Sequence, residues 1–158
     1  MNTTDAKAPA ALSRKECISL LAAHEVGRIV YTLRALPAVT PVHFVLRDGA
    51  VWVWTVSWSM VQAVRGAVVA FEADHLDVAA HTGWSVMVLG VAELVMDPKQ
   101  VTLARSLGPA AWVPGRSEHL VRVPLKLVSG RRVGAPDEAG GVAHPESGGP
   151  SALARAVS

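Results

Sequence analysis

The chain has 158 residues, a length typical of one domain, and 51% of them are hydrophobic, which is enough for a packed core. The formal net charge is only +2 and no block of Lys or Arg is present, which disfavours a nucleic-acid partner. The single cysteine excludes an internal disulfide and fits a reducing compartment. We find neither a signal peptide nor an apolar run of about 18 residues, so we expect a soluble cytoplasmic protein without a membrane partner.

The N-terminal part of the sequence predicts an arm, a helix and a strand. Residues 1–11 are predicted to form a flexible arm. A helix is expected to follow, because Ser13 can cap it and Glu16 completes a capping box, and Gly27 is expected to end it. Apolar side chains then alternate over residues 28–33, which is typical of a strand.

A strong hairpin signal lies near the middle of the chain. Residues 40–46 and 50–56 contain short apolar runs, and the Asp-Gly pair between them favours the tight turn of a β-hairpin. Alternation along the return strand places Trp52 and Trp54 on one face and the valines on the other. A polar loop and a helix start, near Ser57, come next. This arrangement can cradle a phosphate or a planar ring.

The rest of the chain alternates short apolar runs with turn-forming residues. The predicted elements are a strand break at 36–37, a short helix over 60–65, a strand over 67–73, a polar loop over 74–82, a strand over 83–96 with a bend at Gly90, a helix from Asp97 to about Ser106, strands over 119–124 and 126–133, and a disordered tail over 134–158. About six strands with short turns indicate a mainly β fold, a small closed or nearly closed barrel with peripheral helices.

Several strings in the sequence resemble one known family. They are LSRKECISLLAAHEVGRIVY (12–31), PVHFVLRDGAVWVWT (41–55), VAFEADHLD (69–77), GWSVMVLGVAELV (83–95) and AAWVPGRSEHLVRVPLKLVSGRRV (110–133). Their order and spacing are similar to those of the pyridoxamine 5′-phosphate oxidase-like proteins, the FMN-binding split β-barrels, in their short actinobacterial form. The resemblance implies a split-barrel domain of about six strands over residues 12–133, forming a homodimer.

The resemblance also implies a flavoprotein oxidoreductase that uses FMN on a small organic molecule at the dimer interface. In the family, the flavin ring lies against the strand matching residues 41–44, and the phosphate meets Thr55 and the following loop. A Trp and an Arg, loosely matched by Trp112 and Arg122, arrive from the partner subunit. His43 is the catalytic candidate beside the ring, or else a structural histidine inside the barrel. The implied cofactor-binding residues are Pro41, Val42, His43, Phe44, Trp54, Thr55, Ser57, Trp58, Ser59, Met60, Trp112 and Arg122.

The loop after the return strand departs from the family pattern. Relatives carry Thr, two residues, Gly, Ser or Thr, and then Lys, whereas this chain has Trp58 in place of the Gly and Met60 in place of the Lys. Gly lets backbone N–H groups approach a phosphate closely, and Lys supplies a positive charge. Losing one charge-assisted contact costs about 1.5–3 kcal/mol, or roughly ten- to a hundred-fold in affinity. Thr55, Ser57 and Ser59 remain for a weaker phosphate site.

Three interpretations of this departure stay open. FMN is bound, with Arg65 or another cation in place of the Lys. Alternatively, the protein is a flavin-independent enzyme or binding protein that uses the same pocket for another ligand, for example an aromatic one stacked on Trp52, Trp54 or Trp58. In the third interpretation the protein is a dimer without catalytic activity. The sequence does not distinguish FMN from a deazaflavin.

Other polar residues predict no second site. His75 and His81 share a loop, but no tight His or Cys spacing indicates a metal site. Cys17 is predicted to be a small buried hydrophobe. Glu118 and His119 are neighbours on a predicted strand and point to opposite faces, so they are not expected to form an acid–base dyad.

Overall fold

The computed structural model describes residues 10–108, 115–116 and 118–134. These residues form three helices and nine strands. The helices are α1 (Arg14–Ala22), α2 (Trp58–Val64) and α3 (Pro98–Leu107), and the strands are β1 (Ala10–Ala11), β2 (Val26–Leu33), β3 (Leu36–Arg47), β4 (Ala50–Thr55), β5 (Val68–Asp77), β6 (Thr82–Val91), β7 (Glu93–Val95), β8 (His119–Pro124) and β9 (Leu127–Val133). None of the helices in this part of the chain is long and apolar enough to cross a membrane.

The strands form one antiparallel sheet that curls on itself. Its order is β1-β9-β6-β5-β2-β3-β4-β8-β7. β6 lies inside the sheet, between β9 and β5, whereas β7 lies at an edge beside β8. Only Ala92 separates β6 from β7, so the edge strand β7 must lie close to β6, in the other half of the sheet. At Gly90 a Cβ would lie 2.5 Å from the carbonyl oxygen of Pro124, which shows how closely β6 approaches the end of β8.

The mainly β barrel with peripheral helices is confirmed, but the expected number of strands, about six, is wrong. The sheet has nine strands among the described residues. β1 and β7 contain only two and three residues, too few to show a periodic pattern. The long strand expected over 83–96 is two strands, divided at Ala92 rather than bent at Gly90.

Helix α1 begins as predicted but ends earlier. The Ser13 hydroxyl accepts a hydrogen bond from the Glu16 N–H at 3.2 Å, and the Glu16 carboxylate accepts one from the Ser13 N–H at 2.7 Å. The helix ends at Ala22 instead of Gly27. Gly27 lies in β2, where the ring of Phe71 lies against it and leaves no room for a Cβ. This glycine is explained by a close approach of a side chain and not by a helix end.

Two predicted interruptions of the sheet are absent. Residues 36–37 lie within β3, and the turn before it is made by Arg34 and Ala35, with φ values of 52° and 63°. The loop predicted over 74–82 is mostly strand, because β5 continues to Asp77 and pairs there with the start of β6. The polar side chains of this hairpin are largely exposed, so they leave no apolar pattern by which the strand could be recognised.

The core lies inside the barrel, with a smaller apolar cluster outside it. α1 and α2 add Cys17, Leu21 and Met60 to the barrel core. The predicted division of β4 is confirmed: its valines face this core, whereas Trp52 and Trp54 face outward and pack under α3. At the N-terminus, the last two residues of the predicted arm form β1 and pair with β9. The predicted tail over 134–158 lies outside the described residues, apart from its first residue.

Candidate functional site at the end of strand β4

Strand β3 is longer than its neighbour β4, so part of one β3 edge is open. β3 pairs with β2 over Leu36–His43 but with β4 only over His43–Arg47. Among the described residues, the segment Leu36–Val42 therefore has no strand partner on the β4 side. Such an edge presents backbone polar groups to whatever lies beside it. Pro37 and Pro41 lie in this segment, in keeping with the tolerance of prolines at strand edges.

A pocket lies where β4 ends beside this open edge. Its volume is about 190 Å³, and its lining is mainly apolar. It brings together six of the predicted cofactor-binding residues, because the β3–β4 hairpin places the two segments side by side. The volume is below the roughly 300 Å³ at which pockets usually begin to enclose a whole ligand. The lining residues are Thr40, Pro41, Val42, His43, Trp54, Thr55, Val56, Ser57 and Glu118.

The hydroxyl groups at the pocket hold the loop in shape. The Thr55 hydroxyl accepts a hydrogen bond from the Ser57 N–H at 3.1 Å. The Ser57 hydroxyl caps α2 by accepting from the Met60 N–H at 3.2 Å, and it is bonded to the Ser59 hydroxyl at 3.0 Å. These bonds use lone pairs of Thr55 and Ser57. A phosphate placed here would therefore meet hydroxyl groups that also hold the loop and the helix end.

Three predicted site residues direct their side chains into the barrel. Val42, Phe44 and Met60 are 4%, 1% and 1% exposed and belong to the barrel core. Val42 and Phe44 were expected to act through their backbone groups, which this placement allows for Val42 at the open edge. The side chain of Met60 does not line the pocket. A pocket wall made of Trp58, Met60 and His43 is therefore not what the structure shows.

Trp58 lies at the surface next to the pocket. It is the first residue of α2 and is 49% exposed. Its ring lies against the imidazole of His119, with the ring centroids 5.0 Å apart and the planes tilted by 51°. Each of these two residues directly follows a residue that lines the pocket, Ser57 and Glu118 respectively. We call the exposed surface of Trp58 and His119 the indole platform.

The other two tryptophans of this region are packing residues. Trp52 is 5% exposed, and its indole N–H donates to the Arg47 carbonyl oxygen at 3.0 Å. Trp54 is 7% exposed and packs so closely on the end of α3 that a Cβ on Gly108 would lie 2.6 Å from its ring. Trp52 therefore has no face to offer a stacked ligand, and Trp54 offers only the part that borders the pocket.

Arg122 lies away from the pocket of its own chain. It lies on β8 opposite Trp52, and its guanidinium donates to the Glu93 carboxylate at 2.9 Å. It lines a second cavity of about 590 Å³. Arg65 lies at the C-terminal end of α2, about 12 Å along the helix axis from Ser57, and does not line the pocket either. The pocket lining thus has no Lys or Arg among the described residues. Trp112 lies outside the described residues.

Ionisable groups elsewhere in the barrel have structural roles. Burial raises the pKa of the Cys17 thiol, which is fully buried in the core, as predicted for a packing residue. Burial and the neighbouring Asp74 raise the pKa of Glu72, although Arg28 bonds to Glu72 at 3.3 Å and opposes the shift. No three His, Cys, Asp or Glu side chains converge on a metal-sized site in the part of the chain that the structure describes. Glu118 borders the pocket while His119 contacts Trp58, so the two do not act as a pair.

Comparison with known protein families shows which family this barrel belongs to. The family model described as pyridoxamine 5′-phosphate oxidase matches residues 13–132. The chain belongs to the pyridoxamine 5′-phosphate oxidase family. The match covers the described barrel almost completely, including the β3–β4 hairpin and the pocket.

Individual relatives agree with this assignment. An uncharacterized protein of Mycobacterium tuberculosis, Rv0080, is 43% identical over 129 residues, covering 77% of this chain and 84% of its own. The solved FAD binding protein from Mycobacterium smegmatis is 35% identical, with a TM-score of 0.67, covering 78% of this chain and 98% of that chain. A conserved protein of unknown function from Corynebacterium diphtheriae, DIP1874, is 30% identical, with a TM-score of 0.67, covering 78% of this chain and 96% of that chain.

Two features of the site were not predicted from the sequence. The open edge of β3 was expected to be a strand break, although a proline inside an apolar run also signals an edge strand. The inward direction of Met60 was missed because the family pattern drew attention to its position in the loop. The spacing of Met60, Val61 and Val64 carries the signal of one apolar helix face, and all three are buried.

Proposed function

We propose that this protein binds a flavin in the pocket at the end of β4 and uses it to oxidise or reduce a small organic molecule. The observation that carries the proposal is the pocket beside the open edge of β3, which joins His43, Thr55 and Ser57 in one place. A relative with 35% identity is an FAD binding protein, which supports a flavin as the ligand. The buried lone cysteine is compatible with a place in the cytoplasm, which we also propose.

The flavin ring would lie along the open edge of β3. Backbone groups of residues 41–44 would meet its polar edge, since backbone donors and acceptors orient a planar ligand without adding charge. Thr55 and Ser57 would take the phosphate, with Ser59 next to them. The bulk of Trp54 would close one side of the pocket. The chain therefore offers apolar walls and hydrogen-bonding groups that fit a flavin ring.

The pocket of one chain is too small, and it lacks the positive charge, to complete such a site. Its volume is about 190 Å³, and its described lining carries Glu118 but no Lys or Arg to balance a phosphate. We therefore propose a homodimer in which a second chain closes the pocket, with its Trp112 and Arg122. In this arrangement the charge missing from the lining is supplied across the interface.

When bound, the flavin supplies the hydride or electron transfer itself. The role of the protein is to bind and orient it and to exclude water. His43 lines the pocket on the outer face of β3, opposite Trp54, and in this proposal it would donate a hydrogen bond or a proton to the ring or the substrate. FMN was expected from the sequence, whereas the related structure binds FAD; both forms carry the same ring, and a deazaflavin is a third option.

The visible absorption spectrum of the purified protein, followed by titration with FMN and FAD, tests this proposal. We expect flavin absorption bands that persist through desalting, or that appear with saturable binding. The variant His43→Gln should alter the reduction kinetics of the bound flavin with nicotinamide donors, whereas the exposed control His75→Gln should not. A colourless protein that binds neither flavin would overturn the proposal.

A second candidate function is a flavin-independent enzyme or binding protein that uses the same pocket. One observation favours it: the described residues of the pocket lining include no Lys or Arg, and Trp58 stands where the family pattern has the Gly of the phosphate loop. If neither flavin binds, thermal-shift screening of aromatic ligands against the wild type and Trp58→Ala would identify the ligand class. A non-catalytic dimer would bind none of them.

A further inference from the structure

The indole platform exposes a large aromatic side chain at the first residue of helix α2. Trp58 keeps about half of its surface exposed, at 49%, while His119 holds its ring on one side. The two tryptophans on β4 are at least nine-tenths buried, so only Trp58 of the three offers a wide aromatic face to a ligand. The exposure of a large aromatic face to water is unfavourable, and exposed apolar surfaces commonly mark binding sites.

The proposed ring site, the proposed phosphate site and the platform lie one after another, in the same order as the flavin ring, the phosphates and the adenosine of a flavin dinucleotide. The flavin ring is proposed to lie at residues 41–44 and the first phosphate at Thr55 and Ser57. Trp58 comes directly after Ser57 and does not line the pocket, so it lies next to the place proposed for that phosphate. In FMN nothing is attached beyond that phosphate. In FAD a second phosphate and an adenosine follow.

The charge of the pocket also favours FAD over FMN. FMN ends in a phosphate monoester with nearly two negative charges at pH 7, and no Lys or Arg lines the described pocket. The pyrophosphate of FAD carries two charges as well, but they are spread over two phosphodiester-like groups, and only the inner group would lie at Thr55 and Ser57. The lining combines hydroxyl groups with the Glu118 carboxylate, which repels one spread charge less than a terminal dianion.

We propose that the indole platform binds the adenine ring of FAD, so that Trp58 makes the protein select FAD over FMN. The proposal rests on the proposed flavin site. A base stacks on an aromatic ring through dispersion and contact area, and one such stack strengthens binding by about tenfold. His119 contacts the indole on one side, and such a contact reduces the rotamer freedom that Trp58 would lose when the base binds.

Calorimetric titration of flavin-free protein with FAD and with FMN tests the proposal. We expect the wild type to bind FAD about tenfold more tightly than FMN. Trp58→Ala should remove this difference by weakening FAD alone, whereas Trp58→Phe should keep most of it. Leu76→Ala, which removes another exposed apolar side chain on β5, should leave both affinities unchanged. An FMN affinity equal to that of FAD, or equal losses for both ligands in Trp58→Ala, would overturn the proposal.

Two further measurements separate this proposal from the proposed function. If the wild type binds no flavin, the proposed function fails, and titration with ADP then tests the platform: binding that disappears in Trp58→Ala supports adenine recognition, and no binding overturns it. Sedimentation of Trp58→Ala tests a second chain as the occupant. A change in oligomeric state, together with weaker binding of both flavins, would assign Trp58 to the dimer interface instead.

Discussion

The two ends of strand β4 carry cavities of opposite character. At the hairpin end a cavity of about 590 Å³ contains Arg47, Arg122 and three carboxylates. At the other end a pocket of about 190 Å³ has mainly apolar walls, with two threonines, one serine, His43 and Glu118 as its polar residues. Each arginine of the larger cavity is paired within the chain, Arg47 with Asp48 at 2.8 Å and Arg122 with Glu93 at 2.9 Å, so Arg122 would have to exchange Glu93 for a phosphate bound to a second chain.

This contrast shows what one chain provides and what it lacks. The pocket beside the open edge of β3 has the shape and the backbone groups for a planar ring, but the arginines on the two strands beside β4 lie elsewhere along it, Arg47 opposite Ala50 and Arg122 opposite Trp52. Trp52 and Thr55 are three residues apart, which is about 10 Å along a strand, and both arginines are paired with carboxylates. A dimer that brings the charged end of one chain to the apolar end of another would combine the two.

The largest expected effect comes from placing a charge in the core beneath the apolar end. Met60→Lys restores the residue of the family pattern, yet Met60 is 1% exposed and packs in the barrel core. We expect a loss of about 3 kcal/mol or more in the free energy of unfolding, measured by urea denaturation. The loss should shrink as the pH rises toward about 10.4, because burial lowers the pKa of this Lys and the unfolded chain then no longer binds the extra proton.

Met60→Leu is the matched control, since it keeps the volume and adds no charge; it should cost less than about 1.5 kcal/mol. The double variant Trp58→Gly, Met60→Lys tests the loop pattern directly. A stable double variant with stronger flavin binding would show that residue 60 can face the phosphate, contrary to its position in the structure.

The next effect concerns the wall of the pocket. Gly108→Ala would place a Cβ 2.6 Å from Cη2 of Trp54, so the indole or the end of α3 must move. The backbone of Gly108 is extended and suits any residue, so the cost comes from this contact alone. We expect a loss of about 1–3 kcal/mol in the free energy of unfolding. In a Trp54→Phe background the ring atoms that clash are absent, and the same substitution should cost clearly less.

Much of the fold could be predicted from local chemistry, and the exceptions have physical reasons. The turn at Asp48 and Gly49 was recognisable because both residues adopt positive φ, at 46° and 66°, as this dipeptide favours. The turn at Arg34 and Ala35 has the same geometry with residues that rarely adopt it, so no sequence signal exists. Gly27 is conspicuous in the sequence, but its reason, the ring of Phe71, lies far along the chain.

The candidate site also contains residues that local sequence could predict and residues that it could not. Residues 41–43 and 54–57 were predicted together because one hairpin joins them, and the structure does bring them to one pocket. The placement of Met60 depends on the residue at which α2 begins, and a shift of one residue turns a helical side chain by about 100°. Arg122 was matched through a role across a subunit interface, and within its own chain it lies beside Glu93, away from the pocket.

Ser57→Ala tests whether the hydroxyl groups of the pocket are structural. The Ser57 hydroxyl caps α2, a helix of seven residues that adds three buried side chains to the core. Losing the cap should cost about 1 kcal/mol in the free energy of unfolding, measured by the urea midpoint. Ser59→Ala is the control, because its exposed hydroxyl bonds only to that of Ser57; its effect should stay below about 0.5 kcal/mol. Equal effects of the two variants would contradict the capping role.

Of these variants, Arg122→Ala should have the smallest effect on stability. Its effect on flavin affinity tests directly whether the charged cavity of one chain contributes to the pocket of another. Its ion pair with Glu93 joins side chains that are 30% and 56% exposed, so its loss should cost less than about 1 kcal/mol. If Arg122 of a second chain meets the phosphate, flavin affinity should fall by roughly tenfold or more. Glu93→Gln breaks the same ion pair but keeps the guanidinium, and it should bind flavin as the wild type does. Unchanged affinity in Arg122→Ala would mean that the charged end of β4 takes no part in the site, and the balancing charge would then have to come from residues outside the described pocket lining.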